Sequence, residues 1–281
     1  MGLLKISKEI VNKFIAPLGV EIIKSKNKIQ DLELYKDKKR PLEPKYINIG
    51  AGDFYHPYWH NLDTPNEYYA KRQKGRLQIH YDLTSKSPLP FADGSIAIAY
   101  TSHVIEHIKH EDVQYLFDEI YRCLEYGGYF RITCPDIDLE YDAYSNNDFS
   151  FWREPNAYGI FNESIEQCFL DHFASSLTIT HPFSKITLSD SDLKDIFSIM
   201  TKEKALDYIV SQIPNEMLNK YPGDHISWFN KSKILNMLRI AQFTDIYESG
   251  FGQSKNTILR NTRYFDNTCP NLSLYIECRK T

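Results

Sequence analysis

Apolar and polar positions change period along this chain, and the changes mark its elements. Short apolar runs at 45–50, 58–63 and 77–82 read as strands. The turn signal Pro88-Leu89-Pro90-Phe91-Ala92-Asp93-Gly94 leads into Ser95-Ile96-Ala97-Ile98-Ala99-Tyr100-Thr101, an apolar run that suits a strand covered on both faces. Helical spacing follows over 111–125, with Val113, Leu116, Phe117, Ile120 and Leu124 on one stripe, and Gly127-Gly128 is expected to close that helix. Tyr129-Phe130-Arg131-Ile132-Thr133-Cys134 is the next strand, ended by Pro135. A helix at 231–242 and strands at 244–249 and 272–278 complete the pattern, the last predicted as an antiparallel hairpin strand at the sheet edge. Strand–helix alternation of this kind predicts a doubly wound α/β sheet, with ligands beyond the carboxyl ends of the strands. Those ends carry Gly50, Asp63, Asp82, Ser102 and Asp136.

Two regions fall outside this rhythm. Residues 1–44 read as an amphipathic helix and a polar connector ended by Pro41 and Pro44; the helix suits packing on the body or on a second copy in a homo-oligomer, with membrane-surface attachment as the alternative. Residues 139–226 are rich in aromatics, with helix-like runs near 162–171 and 190–212. They read as an insertion over the strand ends that serves as a substrate lid. The predicted organisation is thus 1–44, a core of 45–138 with 227–281, and the insertion 139–226.

Composition narrows the classes. The 281 residues carry a formal net charge of -4, which argues against a broad nucleic-acid footprint, and no run is long and apolar enough to span a bilayer. The basic runs at 36–40 and 71–76 read as solvated loops. Five scattered cysteines without C-x-x-C spacing fit a reducing, cytoplasmic setting and no cysteine-ligated zinc, and Cys134 and Cys278 read as buried strand residues.

The densest chemical signal is Tyr46-Ile47-Asn48-Ile49-Gly50-Ala51-Gly52 followed by Trp59-His60-Asn61-Leu62-Asp63: strand, tight glycine turn, then a strand ending in an acid. Glycines admit close backbone approach and a carboxylate accepts from ribose hydroxyls, so this is the layout of a nucleoside site. A dinucleotide fingerprint needs glycine where Tyr55 stands, which argues against a pyrophosphate cofactor.

These motifs continue into Leu89-Pro90-Phe91-Ala92-Asp93-Gly94-Ser95 with Ser102-His103-Val104-Ile105-Glu106-His107-Ile108, into Tyr121-Arg122-Cys123-Leu124 with Gly127-Gly128, and into Ile234-Leu235-Asn236-Met237-Leu238 with Gln242-Phe243. In this order the chain resembles the class I S-adenosylmethionine-dependent methyltransferases, in particular small-molecule, type 11-like enzymes of surface-polysaccharide pathways. The resemblance covers about 45–138 and 227–281 and leaves the insertion unmatched. It implies a Rossmann-like seven-stranded, mostly parallel sheet with an antiparallel last strand, plus the helical cap insertion, and S-adenosylmethionine as methyl donor. By position, Asn48, Gly50, Ala51 and Gly52 would meet the methionine portion. Asp63 would hold the ribose, Asp82 and Leu83 would flank the adenine, and Ser102 and His103 would lie beside the sulfonium. Asn48 stands where the family often has an acid, and Phe54 where it often has glycine.

Methyl transfer to a hydroxyl needs alignment and removal of a proton. His225 ranks first as general base, His103 second and His181 third; Asp171-His172 and Asp224-His225 are acid–histidine neighbours, although neighbours on a chain often point apart. No H-E-x-x-H signature marks zinc. His103 and His107 stand i, i+4 and would share an ion only on one continuous helix, and a histidine ahead of the helix is the preferred reading, so no metal is expected. The acceptor is read as a small polar molecule: a sugar, nucleotide-sugar or phosphorylated glycan precursor, with Arg40, Arg72, Arg76, Arg131, Arg153, Arg260 and Arg263 available to clamp a phosphate. The insertion's aromatics are mostly core, a few forming a sugar-stacking wall. Nucleic-acid methylation and dinucleotide redox chemistry are weaker alternatives, and a degenerate cofactor-binding partner subunit without catalysis is the non-enzyme alternative.

Overall fold

The computed structural model describes residues 34–35, 43–52, 54–64, 78–153 and 164–281. The predicted N-terminal helix, both basic runs, and Arg40, Arg72 and Arg76 lie outside the described residues. The chain divides into compact units of 1–39 and 40–281, and the sheet, helices and site described here all belong to the second.

Seven strands form one sheet: β1 (Tyr46–Ile49), β2 (His60–Asp63), β3 (Gln78–His80), β4 (Ile96–Ser102), β5 (Leu124–Pro135), β6 (Asp245–Glu248) and β7 (Ser273–Arg279). Their spatial order is β3-β2-β1-β4-β5-β7-β6. The first five run parallel, with Ile49 opposite both Leu62 and Thr101. The β7 strand pairs antiparallel with β5 and with β6. It therefore sits inside the sheet, and β6, not the last strand, forms the edge. The burial of Leu274 through Cys278 is what this interior position requires.

Among the described residues seven α-helices follow in chain order: α1 (His110–Cys123), α2 (Ile137–Ser145), α3 (Ile165–Ala174), α4 (Asp190–Ile199), α5 (Lys202–Ser211), α6 (Asn215–Lys220) and α7 (Lys231–Ile240). The expected run over 190–212 is two helices, broken at Met200, which is extended; Ser189 and Asp192 form a capping box at the start of α4. The glycine pair does not close α1. That helix ends at Cys123, Leu124 already has extended geometry, and β5 begins there. Its last carbonyls are taken by Lys280, whose Nζ donates to the oxygens of Tyr121 at 2.6 Å and Leu124 at 2.9 Å. Gly127, at φ +83°, instead lies in β5 where the pairing with β4 shifts register.

Two apolar clusters form. One joins a single face of the sheet to α1 and α7, through Ile47, Leu62, Phe117, Phe130, Leu238 and Ile276. The other draws on residues between 137 and 228, including Trp152, Phe169, Phe173, Leu193, Leu206 and Trp228. Most of the insertion's aromatics are thus core, as their spacing predicts.

A charged group is buried in the sheet. Arg131 of β5 donates through Nε and Nη2 to both carboxylate oxygens of Asp266 at 2.9 and 2.6 Å, and through Nη1 to Ser249 Oγ at 2.7 Å. Glu277 of β7 lies 3.3 Å from Nη1. Arg131 is fully buried with its donors engaged, so it is not a phosphate-clamp arginine.

Candidate active site

The chain moves from β1 outward to β2 and β3, then returns to place β4 on the other side of β1. This reversal opens a crevice beyond the carboxyl ends of β1 and β4, where doubly wound sheets take ligands. The turns on either side of it touch. Gly50 has φ +67°, and a Cβ there would lie 2.2 Å from Cγ2 of Val104, the residue opening the turn after β4. Only glycine fits that contact. Gly52, at φ +47°, has nothing within 4 Å of its Cβ direction and leaves space over the turn.

Asp63 ends β2 beside this turn. Its Oδ2 accepts from the backbone nitrogens of Ala51 at 3.1 Å and Gly52 at 3.2 Å, and its Oδ1 from Thr64 N at 2.8 Å. Here the acid organises the glycine turn itself. Asp82, after β3, is exposed and ties Thr84 through Oδ1, with Leu83 half-buried beside it. Asn48 is enclosed in β1 at 2% exposure. Phe54 packs on Trp59, Tyr100 and Phe265, with centroids 6.0, 6.4 and 5.8 Å away, and anchors the segment after the turn to the loop before β7. Ser102 accepts from Thr133 Oγ1 at 2.8 Å where β4 ends.

His103 follows with φ +51°, a left-handed conformation that costs energy in a non-glycine residue. Its Nε2 lies 2.7 Å from Ser273 Oγ and its Nδ1 lies 3.3 Å from Glu106 Oε1. Glu106 and His107 belong to a 3-10 turn, Ile105–His107, so His103 and His107 do not share a continuous helix. The Glu106 backbone carbonyl accepts from Ile226 N at 2.8 Å and Ser227 N at 3.1 Å. That strap brings His225 against His107, their ring centroids 4.8 Å apart. Burial raises the Glu106 carboxyl, but the approach of His103 and the fields of His103, His107 and His225 outweigh it and hold the group at about 2. Burial, with His107 nearby, lowers His225 to about 3.

Two further histidines join the same region. His172 on α3 pairs through Nδ1 with Glu140 Oε1 of α2 at 2.9 Å. His181 Nε2 lies 3.3 Å from Asp224 Oδ2. Neither acid–histidine neighbour pair points together: His172 uses Glu140 rather than Asp171, and Asp224 uses His181 rather than His225. The region was legible in His103, His181 and His225, while Glu140 escaped sequence reasoning. Its signal was an acid on a stripe with Ile137 and Ala143, all three buried on α2. Of the candidate phosphate clamps, Arg260 and Arg263 are described and exposed, and the side chain of Arg153 lies outside the description.

The "LPF-DGS" segment has a structural job. Arg122 of α1 donates to the carbonyls of Phe91 at 2.9 Å and Leu89 at 3.1 Å and to Asp93 at 2.7 Å, while Glu119 accepts from Leu89 N at 2.7 Å. This fixes the entry into β4, at the end of that strand away from the crevice.

Residues 58–132 match a family model described as a methyltransferase domain. No curated protein matches the chain. Among solved structures it is similar to an S-adenosylmethionine-dependent methyltransferase from Thermotoga maritima, a possible histamine N-methyltransferase, at 14% identity over 90% of this chain and 87% of that one (TM-score 0.40). It is similar to such a methyltransferase from Archaeoglobus fulgidus at 13% identity, over 98% of this chain and 95% of that one (TM-score 0.40). A third is phosphoethanolamine N-methyltransferase 2 of Haemonchus contortus with S-adenosyl-L-methionine, at 15% identity over 98% of this chain but 57% of that one (TM-score 0.37).

The matched segment runs through β2, β3, β4, α1 and most of β5 of the seven-stranded sheet. Over that segment the chain is similar to a methyltransferase domain, and the sequence resemblance implies S-adenosylmethionine as the methyl donor. The residues present fit that group: an open cradle over Gly52, an acid at the end of β2, and an exposed acid after β3. Among the described residues no helix is long and apolar enough to cross a membrane.

Proposed function

We propose that the protein methylates a hydroxyl oxygen of a small polyhydroxy acceptor, a sugar or nucleotide-sugar precursor of a cell-surface polysaccharide. The observation that carries this reading is the bay of His103, Glu106, His107 and His225 at the carboxyl end of β4, in contact with the glycine turn through Val104 and Gly50. S-adenosylmethionine supplies an activated methyl group when bound, so the protein's part is alignment, exclusion of water and removal of one proton. Gly50, Ala51, Gly52, Asp63, Asp82 and Leu83 are the residues that would hold it, with Asn48 beneath them and Ser102 and His103 toward the acceptor.

We assign the proton-accepting role to His103 ahead of His225. A ring that takes a proton only near pH 3 is a weak base at neutral pH. An ionised Glu106 beside Nδ1 favours the tautomer with hydrogen on Nδ1, and Nε2, which lies 2.7 Å from Ser273 Oγ, would accept from the substrate hydroxyl once that hydroxyl takes the place of Ser273. The left-handed backbone of His103 fits a residue held for function against its own preference. In this reading residues 139–226 close over the bay. Phe183, stacked on Tyr221 at 5.0 Å beside His181, offers a face for a sugar ring. A phosphorylated acceptor would call on Arg260 and Arg263. The five cysteines, all buried, suit a reducing cytoplasm.

Methyl transfer from labelled S-adenosylmethionine to a panel of sugars and nucleotide-sugars tests this. His103→Asn is expected to lower kcat by about 10²–10⁴-fold, the range for a lost general base, and to leave S-adenosylhomocysteine affinity within about twofold. Undiminished turnover in the variant refutes the base. Cofactor binding without transfer to any polyhydroxy acceptor refutes the acceptor class.

A further inference from the structure

Glu106 is 1% exposed, and both of its carboxylate oxygens are buried without a hydrogen-bond donor in good geometry; His103 Nδ1 approaches Oε1 only to ion-pair distance, 3.3 Å. A buried anion in this state is costly unless something positive faces it. Two histidines do. One ligand atom from each of Glu106, His107 and His225 lies within 4.8 Å of the other two.

The tautomers of both rings are fixed by their outer partners. His107 Nδ1 lies 3.0 Å from the carbonyl oxygen of Asp224, and His225 Nδ1 lies 2.7 Å from that of His172. A carbonyl only accepts, so each Nδ1 carries the hydrogen. Each neutral ring therefore keeps its lone pair on Nε2. An Nδ1–H held by a carbonyl, with Nε2 free to ligate, is the outer arrangement metal-bound histidines use. The three residues come from two segments 118 to 119 positions apart in sequence, joined by the hydrogen bonds of Ile226 and Ser227 to the Glu106 carbonyl. Two imidazoles and one carboxylate suit zinc or another divalent first-row transition ion, and they leave coordination positions open.

We propose that Glu106, His107 and His225 bind one divalent transition-metal ion, of which zinc is the best match, at the carboxyl end of β4. This replaces the sequence expectation of no metal: the pairing is His107 with His225 across the fold, not His107 with His103 along the chain. Ligand atoms around a tetrahedral zinc lie roughly 3.3–3.5 Å apart, given bonds of about 2.0–2.2 Å, so the side chains close by about an ångström on binding. The open positions face the bay assigned above to the acceptor, where an oxygen of the substrate could complete the shell. The binding inference itself does not depend on methyl transfer.

Titration of the metal-stripped full chain with Zn²⁺ by calorimetry, and with Co²⁺ by visible absorbance, tests the site. One ion per chain is expected, with a cobalt d–d band and a rise in Tm on adding zinc. Glu106→Gln and His225→Gln should each weaken binding about tenfold or more, while His80→Asn on exposed β3 should not. Circular dichroism establishes that the variants are folded. If neither variant folds, the wild-type cobalt band and zinc-dependent Tm decide. No binding by folded wild-type protein, or equal binding by both folded ligand variants, overturns the site. S-adenosylhomocysteine titration of the same preparation separates the two readings: cofactor binding without metal removes only this site, and metal binding without cofactor removes only the methyltransferase reading.

Discussion

Gly50 shows how one residue joins two parts of the site. Its φ of +67° is a conformation that glycine adopts without cost, and its missing Cβ makes room for Val104. Gly50→Ala therefore meets two penalties, overpacking and backbone strain. Denaturant unfolding should show a loss of about 2–4 kcal/mol, combining the usual ranges for the two effects. Val104→Ala in the same chain should restore part of the loss attributable to the clash and leave about 1 kcal/mol of backbone cost. A double variant no more stable than Gly50→Ala would show that the two turns do not meet there. The need for glycine at position 50 was legible in the sequence; its partner was not, because the touching residue lies 54 positions away. The same holds for His225, whose place beside His107 depends on the hydrogen bonds of the next two residues to the Glu106 carbonyl.

At the scale of elements, the periodicities located the strands and the helices of the core to within a few residues, because these elements are buried along regular stripes. Errors arose where long-range contacts replace a local device. Lys280, at the far end of the chain, supplies the terminus of α1 that was expected of Gly127 and Gly128. The last strand enters the sheet interior, which alternation alone could not distinguish from an edge. Its bond to β5 is reinforced by Arg131, which reaches Glu277 on β7 and Asp266 in the loop before it. Arg131→Met leaves two carboxylates buried without their cation. The variant should lose about 3–5 kcal/mol in denaturant unfolding, the cost of breaking a buried pair from one side. A loss under about 1 kcal/mol would mean that the two acids find other partners.

At the scale of the whole molecule, acid response is a balance of opposing groups. Burial, helped by the Lys233 ammonium, lowers His110 to about 4 from an ordinary 6.5. As pH falls from 6.5 toward 4, the unfolded chain binds this proton and the folded one does not, so the histidine makes stability fall over that window. Glu277 acts the other way: burial, despite Arg131, raises it to about 7, so stability gains as pH falls from there toward 4.5. A difference measurement isolates the histidine. His110→Asn should regain stability relative to wild type by about 1–3 kcal/mol between pH 7 and pH 4.5, read by denaturant unfolding at each pH; a constant difference would contradict a neutral, buried His110. Sequence alone could name the histidines but not their burial, which is set by Trp228 and Lys233 closing on His110 from another segment.

The central claim, a nucleoside cofactor held at the glycine turn and Asp63, is tested most directly by calorimetric titration with S-adenosylhomocysteine, with NAD as control. Wild-type protein should bind S-adenosylhomocysteine alone. Asp63→Ala should weaken that binding by about 1–3 kcal/mol, since the carboxylate organises the turn and, in the proposed reading, holds the ribose. No binding by wild type, binding of NAD instead, or unchanged affinity in a folded Asp63→Ala variant would contradict this assignment.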